Sequence, residues 1–240
     1  MDITKITKPA RKVLPLKKCG VVIVAAGSAS RMKGIDKAIT PLGGEPVIRR
    51  TIRNFQECDA VSQIVIVTRE DLILTIRELS ADFNKVTTVV AGGASRQESV
   101  WLGLNALGDK IKLAAIHDGA RPFADWQLID RTIRAANTYG AAAPAIPVKD
   151  TIKVAEGRVV KNTPDRSTLF AVQTPQVFDF DLLRAALTKA RQEGAELTDD
   201  CSAVERMGMS VKLVEGDERN IKVTTPLDLK IAELLLEEMK

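Results

Sequence analysis

Arg31 and Lys37 follow a turn of small residues, "AAGSAS", which itself follows the apolar run "GVVIVAA". A strand that breaks into small residues exposes backbone N–H groups that form an anion-binding concavity. Arg brings a planar fork for phosphate oxygens and Lys a mobile point charge. The pair suits a triphosphate whose charge shifts during a reaction. The spacing after Gly27 fits neither G-x-G-x-x-G nor G-x-x-x-x-G-K-[ST], so neither a dinucleotide fold nor a P-loop is indicated. The plainer reading is a loop with two solvated cations, and the order of strand, turn and cations argues against it.

Further candidates stand after later apolar runs. In "AGGASRQES", Gly92 and Gly93 permit close ligand approach, Ser95 or Ser99 can bond a base edge, and Arg96 a phosphate; a serine-capped turn accounts for them equally well. In "IHDGARPF", Asp118 can hold Mg²⁺, directly or through water, or bond a substrate hydroxyl, and Arg121 points to an anion. His117 reads as a structural residue at a strand end rather than a general base. Arg166 in "PDRSTL" and Lys222 in "NIKVTTP" read, each alone, as surface cations.

These residues need elements to hold them, and 240 residues are enough for one large domain. Hydrophobic residues make up 45% and charged residues 28%, which supports a substantial core. Net charge is +4, a modest bias toward anionic ligands. Aromatics at 4% are too sparse for a base-stacking platform. Cys19, Cys58 and Cys201 make no disulfide framework or zinc pattern. No apolar run approaches the ~20 residues of a membrane span, and the basic N-terminus lacks the apolar segment of a secretory signal. The expected compartment is the cytoplasm, with no membrane and no nucleic-acid partner.

From Gly20 onward, strand-length apolar runs alternate with helical periodicity. "EPVIRRTIRNFQEC" carries apolar or core-facing residues at Val47, Ile48, Thr51, Ile52 and Phe55. Helices are also expected in "DLILTIRELSADF", "SRQESVWLGLNAL" and "DWQLIDRTIRAANTYG", the last closing on Gly140. The expected fold is α/β: a Rossmann-like, mostly parallel twisted sheet with helices on both faces. Ligands then sit beyond the carboxyl ends of the strands. Near Lys149 the rhythm breaks, and two β-prone runs around Glu156 and Gly157 predict a projecting hairpin arm. "SVKLVEGDERNIKVTT" predicts two short strands. Thr225, Pro226 and Asp228 form a helix-start signature. The expected organisation is a basic flexible leader, 1–18, and one domain, 19–240, with 149–172 as the arm.

The motifs "AAGSASRM", "DKA", "AGGASRQES", "IHDGARPF", "PVKDTIK", "TPDRSTLF", "QTPQVF", "TDDCSAVE" and "VEGDERNIKVTTPLDL" stand in the order of one family. From about Cys19 to its end the chain resembles the 2-C-methyl-D-erythritol 4-phosphate cytidylyltransferases. The resemblance implies a nucleotidyl transfer from CTP to methylerythritol phosphate, with Mg²⁺, in isoprenoid precursor synthesis. It implies that Arg31 and Lys37 are catalytic, gripping the CTP phosphates. Ala25, Ala26, Gly27, Gly93 and Ser99 would line the cytidine pocket, and Asp118 would sit near ribose, metal or substrate hydroxyls. Arg121, Thr151, Arg166, Thr198 and Lys222 would surround methylerythritol phosphate. The arm of this family exchanges between subunits, which implies a homodimer whose Thr151 and Arg166 serve the partner's site. Ala29 and Ala94 depart from residues found in other members, Ala94 standing where some place an aspartate beside the cytosine.

Four other readings stand beside this one. They are a ribitol 5-phosphate cytidylyltransferase, a molybdenum-cofactor guanylyltransferase, a catalytically silent nucleotide-binding protein, and nucleic-acid binding through the leader.

Overall fold

A computed structural model describes residues 15–27 and 38–239. The strands are β1 (Cys19–Ala25), β2 (Pro41–Leu42), β3 (Glu45–Pro46), β4 (Val61–Thr68), β5 (Val86–Ala91), β6 (Leu113–Asp118) and β7 (Ala141–Pro147). They continue with β8 (Val154–Glu156), β9 (Val159–Asn162), β10 (Phe170–Val172), β11 (Gln176–Asp179) and β12 (Lys212–Glu215). The helices are α1 (Val47–Glu57), α2 (Ile73–Ser80), α3 (Arg96–Asn105), α4 (Trp126–Tyr139), α5 (Phe180–Gln192), α6 (Asp200–Glu205) and α7 (Pro226–Glu238).

β1 pairs in parallel with β4, and β4 with β5, as the chain winds outward through α1 and α2. After α3 the winding reverses, and β6 pairs in parallel on the other side of β1. That reversal opens a crevice between the carboxyl ends of β1 and β6, where the register sets Val24 beside Asp118. The expected mostly parallel α/β sheet is borne out. One departure matters for the site. β11 runs antiparallel and wedges between β6 and β7. β10 continues along the same edge of β7, separated from β11 by a cis Thr174–Pro175 bond. β12 lies in parallel along the remaining edge of β7.

Strand alternation feeds two cores. Val21 and Ile23 of β1 pack on one face with Ile48 and Ile52 of α1 and Ile129 and Ile133 of α4. Val22 packs on the other with Leu104 of α3 and Leu183 and Leu187 of α5. The five α1 positions expected to face inward are all buried. α3 lies so near the sheet that a Cβ on Gly103 would clash with Val22 Cγ1. Gly140 ends α4 at φ 85°, a left-handed stop suited to glycine. Leu42, Val47, Phe123, Val223 and Ala232 bury the root of α7 as a third cluster. The Thr225–Asp228 capping box forms with Pro226 in the first turn.

One local expectation is corrected and one hairpin is added. The run "NIKVTT" is a loop, because both edges of β7 are already paired and its backbone bonds elsewhere; Val223 N–H donates to Ala120 O at 2.8 Å. The Gly43–Gly44 pair, with φ of 58° and 81°, turns the small β2–β3 hairpin that the apolar pattern did not signal. Of the leader, residues 15–18 are docked. Lys17 pairs with Asp179 at 2.9 Å and bonds Asn137 through its backbone, and Lys18 O accepts from Lys112 and Leu113. Residues 1–14 lie outside the described residues.

Candidate active site at the switch crevice

Asp118, the last residue of β6, is the centre of the site. Its side chain is 12% exposed and faces three cations. Lys222 Nζ lies 2.8 Å from Oδ2, Arg121 Nε 3.6 Å from the same oxygen, and Arg96 Nε 3.7 Å from Oδ1. Burial alone would raise its pKa. Lys222, Arg96 and Arg121 more than offset that and hold it at about 2. Asp118 is therefore a fixed negative charge in a cationic wall.

Each cation is held from elsewhere. Arg121 donates from Nη1 to Asn220 O at 2.6 Å. Arg96, first residue of α3, donates to Asp200 Oδ2 at 2.8 Å. Burial raises the Asp200 pKa against the pull of Arg96. Burial also penalises Arg96, yet Asp200 and Asp118 keep it firmly charged. Lys222 sits in the loop after β12, between Asn220 and Val223, both buried.

His117 is buried, and burial lowers its pKa to about 4. Its Nε2 is 3.1 Å from Arg121 O, which can only accept, so Nε2 carries the proton. Nδ1 then accepts from Thr174 Oγ1 at 3.0 Å, while that hydroxyl oxygen accepts from Asp118 N–H at 3.2 Å. A neutral imidazole thus ties the backbone on either side of Asp118. The reading of His117 as structural agrees with this geometry.

Ala25 and Ala26 leave β1 beside this wall, half-buried, and Gly27 is exposed. Among the described residues, nothing lies within 4 Å of a Cβ built on Gly27. Arg31, Lys37 and Ala29 lie outside the described residues. Across the crevice, the turn after β5 is closed on itself. Ser99 Oγ accepts from Gly93 N–H at 3.1 Å and donates to Ser95 O at 2.9 Å. Ala94 N–H donates to Glu98 Oε2 at 2.8 Å. Ser99 is buried and shapes this turn, and the Gly93 N–H is already bonded. Only the folded turn brings the Glu98 carboxylate back over Gly93, so its spacing in the sequence carries no signal.

Thr198 is exposed one residue before Asp199, the N-cap of α6. Thr151 and Arg166 are exposed on the arm, where Arg166 donates to Lys149 O at 2.8 Å. Among the described residues, no hydrogen bond or ion pair links Thr151, Arg166 or Thr198 to Asp118, Arg121 or Lys222. The structure therefore gathers Asp118, Arg121 and Lys222, adds Arg96, and leaves the arm residues apart.

Sequence reasoning gave no role to the polar side chains of "QTPQ". Gln173, Thr174 and Gln176 are all buried at the crevice. Gln176 donates to Asp199 Oδ2 at 2.8 Å and accepts from Asp200 and Cys201 N–H, which fastens the start of α6. Their signal in the sequence was amides and a hydroxyl inside an otherwise apolar strand region.

A doubly wound sheet with a cationic wall at its switch point defines the class: an α/β fold that binds an anionic ligand at the carboxyl ends of its strands. The family described as 2-C-methyl-D-erythritol 4-phosphate cytidylyltransferase (IspD) matches residues 19–238. A protein of that name from Geobacillus kaustophilus is 48% identical over 219 residues, covering 90% of this chain and 95% of its own. One from Symbiobacterium thermophilum is 47% identical over 220 residues, covering 91% and 92%. The crystal structure of 4-diphosphocytidyl-2C-methyl-D-erythritol synthase from Anaerococcus prevotii superposes with a TM-score of 0.86 at 30% identity, covering 95% of this chain and all of that one. The chain belongs to the 2-C-methyl-D-erythritol 4-phosphate cytidylyltransferase family.

Proposed function

We infer that the crevice performs the reaction of its family: transfer of the cytidylyl group of CTP to 2-C-methyl-D-erythritol 4-phosphate, in non-mevalonate isoprenoid precursor synthesis. The observation that carries this reading is the wall of Lys222, Arg121 and Arg96 around Asp118 at the switch point. An acceptor phosphate oxygen attacks the α-phosphorus of CTP in line. The bond from that phosphorus to the bridging oxygen breaks, and pyrophosphate leaves with the electron pair. The attacking oxygen is already anionic near neutral pH, so no base is required. That agrees with a single histidine that is buried and neutral. The work left to the protein is bringing two anions together and stabilising developing charge. Arg31 and Lys37 would grip the triphosphate, Ala25, Ala26, Gly27, Gly93 and Ser99 would border the nucleoside, and Lys222, Arg121 and Thr198 would hold the acceptor.

The family reading brings Mg²⁺ with the nucleotide. Among the described residues, no three His, Cys, Asp or Glu side chains converge as a metal site. The oxygens of Asp118 face cations, which does not suit a direct metal ligand. The triphosphate oxygens would supply the coordination. No described helix is long and apolar enough to cross a membrane. The three cysteines are buried free thiols, in keeping with a cytoplasmic enzyme.

A pyrophosphate-release assay crossing four nucleotides with methylerythritol phosphate and ribitol 5-phosphate tests the reading. Turnover should require CTP and methylerythritol phosphate together. Faster turnover with ribitol 5-phosphate would replace the acceptor, and absence of turnover with every pair would leave a silent nucleotide-binding protein.

The arm supports a homodimer. β8 and β9 pair only with each other among the described strands, and Val154, Val159 and Val160 are exposed on them. Arg166 would reach the partner's site. Arg166→Ala should raise KM for methylerythritol phosphate with little change in CTP affinity by calorimetry. Co-expression of Arg166→Ala and Lys222→Ala chains should restore about a quarter of wild-type activity, since half the dimers would be mixed and each would hold one intact site. No recovery would mean that each arm serves its own chain.

A further inference from the structure

Among the described residues, no hydrogen bond joins Gln173 to a residue expected to meet substrate, yet it grips the loop that carries one of them. It is the residue just after β10 and is 5% exposed. Its Nε2 donates to Asp217 O at 2.7 Å, and its Oε1 accepts from Asp217 N–H at 3.2 Å. Both ends of one amide are therefore bonded to the same backbone residue, five positions before Lys222. Asn220 Nδ2 adds a longer bond to Gln173 Oε1 at 3.4 Å and a firm one to Thr174 O at 2.9 Å. Asn220 O in turn holds Arg121.

Gly216 explains how the loop comes so near. A Cβ there would lie 2.7 Å from Gln173 Oε1 and 2.9 Å from the Ala145 carbonyl carbon. Only a residue without Cβ lets the backbone lie flat against the amide. Beyond Asn220 the loop is pinned again where Val223 N–H meets Ala120 O. Lys222 is thus a half-exposed lysine on a short span fixed at both ends. A lysine on a free loop pays side-chain and backbone entropy to hold one geometry, and a fixed span removes the backbone part of that cost.

We propose that Gln173 is a positioning residue that sets Lys222 against Asp118 by clamping Asp217 through both ends of its amide. The kinetic form of this inference rests on the acceptor-holding role of Lys222. The clamp itself does not.

Two variants test it, Gln173→Met and Gly216→Ala, which release the loop from opposite sides. Acetic anhydride labelling read by mass spectrometry compares Lys222 with Lys230, a surface lysine of α7. The Lys222:Lys230 ratio should rise about threefold or more in both variants, as local opening becomes easier. KM for methylerythritol phosphate should rise roughly tenfold with KM for CTP held within about twofold, as expected for a misplaced binding group. In a Lys222→Ala background, Gln173→Met should cost less than about twofold more, because it acts through Lys222. An unchanged labelling ratio would overturn the proposal. So would an equal rise in both KM values, or the same loss in the Lys222→Ala background, either of which would make Gln173 a general brace. If wild-type protein made no product from methylerythritol phosphate, the functional reading would fail, while the labelling ratio would still decide the clamp.

Discussion

Lys37→Ala should lower kcat by two or more decades and leave the fold intact. A single donor aimed at developing charge is worth roughly 10²–10³ in rate, and here the charge develops on the departing pyrophosphate. Lys37 lies outside the described residues, so the expectation rests on what leads to it. β1 ends at Ala25 in the switch crevice, and the chain then supplies Arg31 and Lys37 in order. Saturating both substrates isolates kcat, and far-UV circular dichroism checks the fold. Near-normal turnover would remove Lys37 from the mechanism.

Asp118→Asn acts on stability and rate together. The carboxylate balances Lys222, Arg121 and Arg96, and the change leaves three cations facing a neutral amide. Breaking a buried pair by neutralising one partner costs about 3–5 kcal/mol. Lys222 and Arg96 keep partial access to water, so the lower end applies, about 3 kcal/mol. For a domain of this size, that corresponds to a fall in Tm of about 6–12 °C by calorimetry. The loss in kcat/KM should be on the order of 10², the scale of misplacing substrate-holding groups by about 1 Å. A variant with unchanged Tm and rate would show that the cation wall stands without Asp118.

Acid unfolding separates this residue from its neighbours. Asp118 has its folded pKa depressed from 3.8 to about 2, so its stabilisation is present above 3.8 and is lost as pH falls toward 2. His117 is lowered from 6.5 to about 4, and its contribution is lost as pH falls through that higher window. Asp200 has the opposite sign: its folded pKa is raised, so its contribution is present below 3.8 and fades as pH rises through the folded value. Arg96 and Arg121 stay charged throughout. Asp118→Asn should therefore keep the loss of stability between pH 6.5 and 4 and show a shallower loss between 3.8 and 2. An unchanged slope in the lower window would contradict the assignment.

Much of this is legible in the chain. The apolar runs at Val21–Val24 and Ile64–Val67 announce strands covered on both faces, and Val47, Ile48, Ile52 and Phe55 announce the helix between them. Asp118 at the end of such a run was visible as a candidate for the same reason, since the carboxyl end of a buried parallel strand is where a polar residue meets ligand. Thr225 and Asp228 announced their own helix start because a capping box is a local device.

Three features were not local. β11 takes its antiparallel place between β6 and β7 through pairing with residues more than thirty positions earlier in the chain. "NIKVTT" has strand composition and became a loop, because β-propensity is expressed only where an edge is free to pair. Gln173, Gln176 and Asp200 look like isolated polar residues, and their meaning appears only when the loops they bond are folded against them. By itself, then, the sequence determined the alternation of elements, the ends of the strands and the candidate charges, all of which follow from burial period and short-range bonding. The tertiary structure alone decided which of those charges meet at Asp118 and which amides hold them there. A charge is priced by what surrounds it, and its surroundings come from distant parts of the chain.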